Sequence, residues 1–306
     1  MFRLIRILLV LVVMALVLPP LYFALFPPAD PDLPPPGRRV EVAPGVEVNL
    51  IETGHGPPVV LVHGHPGSAY DWRSVMDALA KRGHHALAYD RVGYGRSDAR
   101  IVAPLVDANA NELLAFLAAE NLRDVTLVGW SYGGGTSIAA AKKEASRLAR
   151  VVLVGSVGPG IENRPAPPQW LMELMVGPVL SWVSAVPPVA ARLRGSTTAL
   201  AFEPELITPG YRALLDANFA APHTLETFRN EGRDLDGRAD IDPSGLQLPV
   251  LVIQGDGDRL VPASVGEALH RLAPDSELWM VPGGGHMLPF TRSEALADRI
   301  AGFAGR

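Results

Sequence analysis

A run of apolar and β-branched residues, Val125-Thr-Leu-Val128, breaks into Gly129-Trp-Ser131-Tyr-Gly133 and then into Thr136-Ser-Ile-Ala-Ala-Ala141, which suits a helix. A strand that turns this sharply into a helix leaves space only for glycine two residues before and two residues after the bend. The serine between them is forced into a strained conformation, and its hydroxyl stands clear of the sheet. It also lies at a helix N-terminus, where free N–H groups and the macrodipole stabilise a developing negative charge. Gly-x-Ser-x-Gly alone arises by chance or in flexible loops. The flanking strand and helix make Ser131 a candidate nucleophile.

A serine hydroxyl attacks only when a base takes its proton and an acid orients that base. Both lie downstream. Pro249-Val-Leu-Val-Ile-Gln254 has the pattern of a buried strand and runs into Gly255-Asp-Gly-Asp-Arg-Leu-Val-Pro262. Two carboxylates therefore sit in a loop at a strand's C-terminal end, the edge where open parallel sheets bind ligands. The next strand-like run, Leu278-Trp-Met-Val281, ends in Pro282-Gly-Gly-Gly-His286, ahead of a helix expected to start near Thr291 with Glu294 in capping-box position. The chain order is serine, acid, histidine.

At this point the chain resembles the α/β-hydrolase family, over nearly everything from about Arg39 onward. His63-Gly-His-Pro-Gly-Ser68, after the strand-like Val59-Val-Leu-Val62, is similar to the family's oxyanion loop. Asp90-Arg-Val-Gly-Tyr-Gly-Arg-Ser-Asp98 matches its Asp-x-x-Gly-x-Gly-x-Ser segment, whose role is mainly structural. Gly255-x-x-Asp258-x-x-Val261-Pro262 is similar to its acid loop and favours Asp258 over Asp256. The resemblance implies Ser131 as nucleophile, His286 as base, Asp258 as the orienting acid, and the backbone N–H groups of His65 and Tyr132 as oxyanion donors. It implies no metal and no organic cofactor. Serine at the elbow disfavours the dehalogenase and epoxide-hydrolase members, which attack with aspartate. Carboxylic ester hydrolysis leads. Carbon–carbon bond hydrolysis, cofactor-free haloperoxidase activity and a ligand-binding receptor with little turnover stay open.

The implied fold is a mostly parallel eight-stranded sheet with helices on both faces and an inserted helical cap. Apolar runs near Val46–Ile51, Val59–Val62, Ala86–Tyr89, Val125–Val128, Val151–Val154, Val250–Ile253 and Leu278–Val281 supply seven strands, and Arg39–Val42 a short antiparallel edge. Helical patterns over Asp71–Lys81, Leu105–Glu120, Thr136–Ala149, Ala263–Leu272 and Ser293–Phe303 separate most of them. The division expected is 39–160 and 246–306 for the core, with 161–245 as the cap. In the cap, Trp170–Val176 and Pro178–Val183 are strongly apolar, which suits packing on the core, an acyl pocket or a membrane-facing surface collecting a lipophilic ester.

Composition narrows the partners. With 27 basic against 32 acidic residues the net charge is −5, and no long basic run occurs, so nucleic acid is not an expected partner. The absence of cysteine excludes disulfides and a thiolate nucleophile. His63 and His65 alternate with glycine but have no carboxylate or cysteine partners nearby in sequence, which disfavours a metal pair. Oligomeric state leaves no mark in the sequence.

The N-terminal stretch, residues 1–26, is expected to lie outside the core. Arg3 and Arg6 precede an apolar run from Ile7 to Phe26, interrupted by Pro19-Pro20. Bulky Tyr22, Phe23 and Phe26 stand where a cleavage site needs small residues, which favours an uncleaved anchor over a secretory signal. On that reading residues 27–38, rich in proline, are a stiff linker and the enzyme is membrane-anchored on the extracytoplasmic side. Secretion after signal cleavage is the alternative.

Overall fold

The computed structural model describes residues 2–26, 35–99, 106–161, 186, 224, 227, 230, 231 and 241–306. The chain divides into two units, one of Met1–Asp32 with Pro165–Leu200, the other of Leu33–Arg164 with Ala201–Arg306. The expected linker falls outside the described residues except for 35–38. So does most of the expected cap, including Trp170–Val176 and Pro178–Val183.

In the first unit the described element is a helix, α1, Phe2–Leu25. Among the described residues, no helix is long and apolar enough to cross a membrane. The anchor expected over residues 1–26, and the membrane-tethered location inferred from it, are therefore corrected. The physical reason lies in the sequence of α1. Between Arg6 and Pro19-Pro20 the uninterrupted apolar run is Ile7–Leu18. At 1.5 Å per residue that covers about 18 Å, against about 30 Å of hydrocarbon in a bilayer. The two prolines also withhold two backbone donors from the helix ladder.

The second unit is built on an eight-stranded sheet. Its elements, numbered among the described residues, begin with β1 (Arg38–Ala43), β2 (Val46–Thr53) and β3 (Pro58–Val62), then a 3₁₀ turn at Ala69–Trp72 and α2 (Arg73–Lys81). They continue as β4 (His85–Tyr89), α3 (Val106–Ala119), β5 (Val125–Trp130), α4 (Tyr132–Lys143) and β6 (Leu148–Val154). After the sparsely described stretch come β7 (Val250–Gly255), α5 (Ala263–Leu272), β8 (Ser276–Val281), α6 (Leu288–Thr291) and α7 (Ser293–Ala304).

Spatial order is β1-β2-β4-β3-β5-β6-β7-β8, antiparallel across β1–β2 and β2–β4 and parallel elsewhere. This is the mostly parallel sheet expected. Residues of β5 and β7 are buried throughout, as strands covered on both faces must be, and they read as unbroken apolar runs. The outermost β1 instead exposes Arg38, Arg39 and Glu41, charges that discourage another chain from pairing with the open edge. Leu113 and Phe116 of α3, Ile138 of α4 and Leu269 of α5 fill one core cluster; Leu79 of α2 with Ile300 and Phe303 of α7 fill another.

Several helix boundaries differ from expectation: α2 begins at Arg73 rather than Asp71, and α4 ends at Lys143 rather than Ala149, since β6 already begins at Leu148. α4 starts at Tyr132, four residues before Thr136, because three glycines, poor helix formers in general, occupy its first turn where nothing larger fits. A methyl on Gly133 would lie 2.4 Å from the Val62 carbonyl oxygen, and one on Gly134 would lie 2.1 Å from Ser156 Oγ. Near the C-terminus, Thr291 ends the short α6, and α7 begins only at Ser293. Its N-cap position is Arg292, with no side-chain cap bond, so the capping box does not form.

Candidate active site

The bend between β5 and α4 places Ser131 at φ 55°, ψ −121°, a strained conformation for a residue with a side chain. Three backbone bonds hold it there. The Ser131 N–H donates to the Val154 carbonyl (3.0 Å), and the Ser131 carbonyl accepts from Gly134 (3.0 Å) and Val157 (3.1 Å). A methyl on Gly129 would come within 2.4 Å of the Gly133 carbonyl oxygen, so both glycines of the motif serve close approach.

The expected acid and base, Asp258 and His286, meet on the loops after β7 and β8. His286 Nδ1 lies 2.7 Å from Asp258 Oδ2, with the carboxylate side chain fully buried and His286 only 5% exposed. The backbone N–H groups of Leu260 and Val261 donate to Asp258 Oδ1, each at 2.9 Å. Gln254 Nε2 reaches Oδ2 at 3.3 Å. The carboxylate is thus fixed before it meets the imidazole, and as an acceptor it assigns the ring proton to Nδ1. The His286 carbonyl accepts a 3.0 Å bond from Trp130 Nε1, which ties the histidine loop to the residue before the serine.

Two glycines report the convergence. A methyl on Gly155, the residue after Val154, would lie 3.3 Å from Asp258 Oδ2 and 3.5 Å from His286 Nδ1. On the other flank, a methyl on Gly64 would lie 3.1 Å from Ser131 Cβ. The serine therefore lies against the loop after β3, and Gly155, whose neighbour Val154 accepts the Ser131 N–H, lies against the histidine–aspartate pair. Tyr132 and His65, the two expected oxyanion donors, fall on the first residue of α4 and within the β3 loop respectively. Asp256, the alternative acid, is exposed and instead accepts the Gly283 N–H at 2.8 Å. Asp90 is buried and receives Ala69 N–H, Arg96 N–H and Asn49 Nδ2, which makes it a loop anchor.

His63 is enclosed. Its Nδ1 bonds the Gly64 carbonyl and its Nε2 accepts the Arg91 N–H, both at 2.9 Å. Burial first, and then the Arg91 charge, holds its pKa well below the ordinary imidazole value. Among the described residues no three acidic or imidazole side chains converge as metal ligands.

Sequence reasoning missed a buried polar cluster beside this loop. Arg91, 1% exposed, pairs with fully buried Glu231 and also donates from Nη2 to the Gly64 carbonyl at 2.8 Å. Tyr94 Oη, Asn109 Nδ2 and His65 Nδ1 approach the same carboxylate at 2.7, 3.0 and 2.9 Å. The Arg91 guanidinium stacks over the rings of Tyr94 and Tyr132, 4.7 and 4.9 Å from their centroids. Burial alone would raise the Glu231 pKa, but Arg91 and the His65 contact bring it far below the carboxylate range. The available signal was faint: Thr224, Thr227 and Glu231 recur at helical spacing, all buried, in a stretch whose polar residues suggest a solvated face.

The chain is similar to known proteins. A family model described as alpha/beta hydrolase fold matches residues 57–293. The chain is 28% identical over 282 residues to a 2-hydroxy-6-oxo-2,4-heptadienoate hydrolase of Pseudomonas putida, covering 87% of this chain and 95% of that protein. It is 28% identical over 269 residues to a non-heme haloperoxidase of Rhodococcus erythropolis, covering 81% and 92%. The crystal structure of a bromoperoxidase from Bacillus anthracis superposes with a TM-score of 0.75 at 24% identity, over 88% of this chain and 99% of that one, a likeness of fold.

Proposed function

This chain belongs to the α/β-hydrolase fold family, and from that premise we propose that it is a serine hydrolase cleaving carboxylic esters or related acyl compounds through an acyl-enzyme on Ser131. The observation that supports the reading is the 2.7 Å contact of His286 Nδ1 with Asp258, together with the strained backbone geometry of Ser131. With the proton on Nδ1, Nε2 carries the lone pair and takes the hydroxyl proton as Ser131 attacks the acyl carbon. The buried Asp258 stabilises the imidazolium that results. His286 then protonates the leaving alcohol, and a water molecule, deprotonated by the same ring, releases the acid. Backbone N–H groups of His65 and Tyr132 receive the oxyanion, each worth roughly 3–4 kcal/mol of barrier.

One observation favours a second reading, hydrolysis of a carbon–carbon bond by the same serine: the Pseudomonas putida relative is named a hydrolase of 2-hydroxy-6-oxo-2,4-heptadienoate, a compound that contains no ester bond. Purified protein and its Ser131→Ala variant, tested on p-nitrophenyl esters of graded length and on 2-hydroxy-6-oxo-2,4-heptadienoate, separate the two. Turnover of esters alone, lost in Ser131→Ala, supports the ester reading. Turnover of the dienoate alone replaces it. Ester turnover that survives in the alanine variant removes Ser131 from the chemistry.

A further inference from the structure

The peptide linking Gly64 to His65 has one carbonyl and one N–H, and the planar trans amide points them in opposite directions. The carbonyl is held from two sides, by Arg91 Nη2 at 2.8 Å and by the His63 ring at 2.9 Å. Holding the carbonyl toward Arg91 therefore aims the His65 N–H away from it. Arg91 is itself held by Glu231 through both terminal guanidinium nitrogens, Nη1 and Nη2. The same carboxylate reaches His65 Nδ1, so the residue on each side of the amide is tied to one buried acid.

Glu231 approaches from a distant part of the chain, 140 residues beyond Arg91. Thr224, Thr227 and Glu231 are helical and share one face. That face lies on the turn after Asp90. Gly93, at φ +86°, makes the approach feasible, since a methyl there would lie 2.2 Å from Thr227 Oγ1.

We propose that Glu231, acting through Arg91, is a positioning residue that clamps the Gly64–His65 peptide plane and so orients the oxyanion-binding N–H of His65. The inference rests on the reading of Ser131 as nucleophile and His65 as oxyanion donor. It places control of the oxyanion site in the segment between β6 and β7, outside every motif that marks the family in this sequence.

The test uses the full chain with a short p-nitrophenyl ester and a fluorophosphonate probe, following folding by circular dichroism and thermal melting. Glu231→Gln keeps the side-chain shape but removes the charge that fixes Arg91. An oxyanion contact stabilises the transition state more than bound substrate, so kcat should fall roughly tenfold to a hundredfold with KM within about threefold. Probe labelling should slow by a similar factor. The paired variant Arg91→Met with Glu231→Leu removes both charges, so neither is left buried alone. If the clamp operates, this pair folds yet stays slow, because nothing from position 91 holds the Gly64 carbonyl. A merely structural ion pair would instead let it recover activity.

Turnover and labelling within about twofold of wild type in either folded variant overturn the clamp. Should Glu231→Gln fail to fold, the paired variant decides. Absence of labelling in the wild-type protein removes the nucleophile reading and the clamp together, whereas strong, equal labelling of wild type and variants removes the clamp alone.

Discussion

His63 has both ring nitrogens committed, one donating to Gly64 and one accepting from Arg91, so a second ring proton would have to break the bond to the Arg91 N–H. The folded state therefore keeps His63 neutral, while the unfolded chain protonates it near pH 6.5. Between that value and the lower folded one, the unfolded state holds the extra proton, so stability rises with pH through this window and is lost as pH falls. The melting temperature should drop between pH 7 and pH 5, and His63→Asn, less stable overall, should drop less. Thermal melts at the two pH values check this, and equal drops would refute it. Asp258 supports a separate prediction. Asp258→Asn preserves size but offers the amide where His286 needs an acceptor, favouring the wrong tautomer. Turnover of an active substrate should fall by a factor on the order of 10⁴ with the fold retained, as steady-state kinetics and circular dichroism would show.

At the scale of elements, the β5–α4 bend shows why the site was legible along the chain. Gly129, Ser131 and Gly133 meet requirements local to one turn, so spacing alone carries them. Gly133→Ala tests this: the added methyl would meet the Val62 and His63 carbonyl oxygens at 2.4 and 2.6 Å, pushing α4 from the end of β3. Overpacking against backbone costs at least about 1–3 kcal/mol, so the urea midpoint should fall. An unchanged midpoint would mean the strand and helix have slack. The central strands were equally readable, because burial on both faces writes continuous apolar runs such as Val250–Ile253. Glu231 was not. Its partners Arg91, Tyr94 and Asn109 are more than a hundred residues away, and no period in the sequence distinguishes a buried carboxylate from a solvated one. The start of α4 was misplaced because glycines that weaken a helix intrinsically are demanded by packing. The N-terminal apolar run suggested a membrane span, but Pro19-Pro20 leave a stretch too short for one.

The whole sheet distributes the site unevenly. Strand order reverses at β3, which pairs with β4 on one side and β5 on the other, and the crevice at such a reversal receives the serine and the Gly64–His65 loop from well-buried strands. The proposed acid and base come from the flank. His286 follows β8, which among the described residues pairs only with β7 and is half-buried along nearly all its length, while β7 is buried throughout. Edge elements with fewer buried contacts open at lower free energy than central ones. Partial opening of β8 would carry His286 out of its proposed place beside Ser131 while the central sheet, and most of the backbone signal, persists. The Trp130 bond to the His286 carbonyl and the buried Leu288 resist this, but both act beyond the end of the strand. In equilibrium urea titrations, turnover and probe labelling should therefore be lost at lower denaturant than far-UV ellipticity, and Trp130→Phe, lacking the indole donor, should widen the gap. Hydrogen exchange should show β8 amides opening before those of β5. Coincident loss of activity and ellipticity, with uniform exchange across both strands, would instead mean that the flank and the centre unfold as one cooperative body.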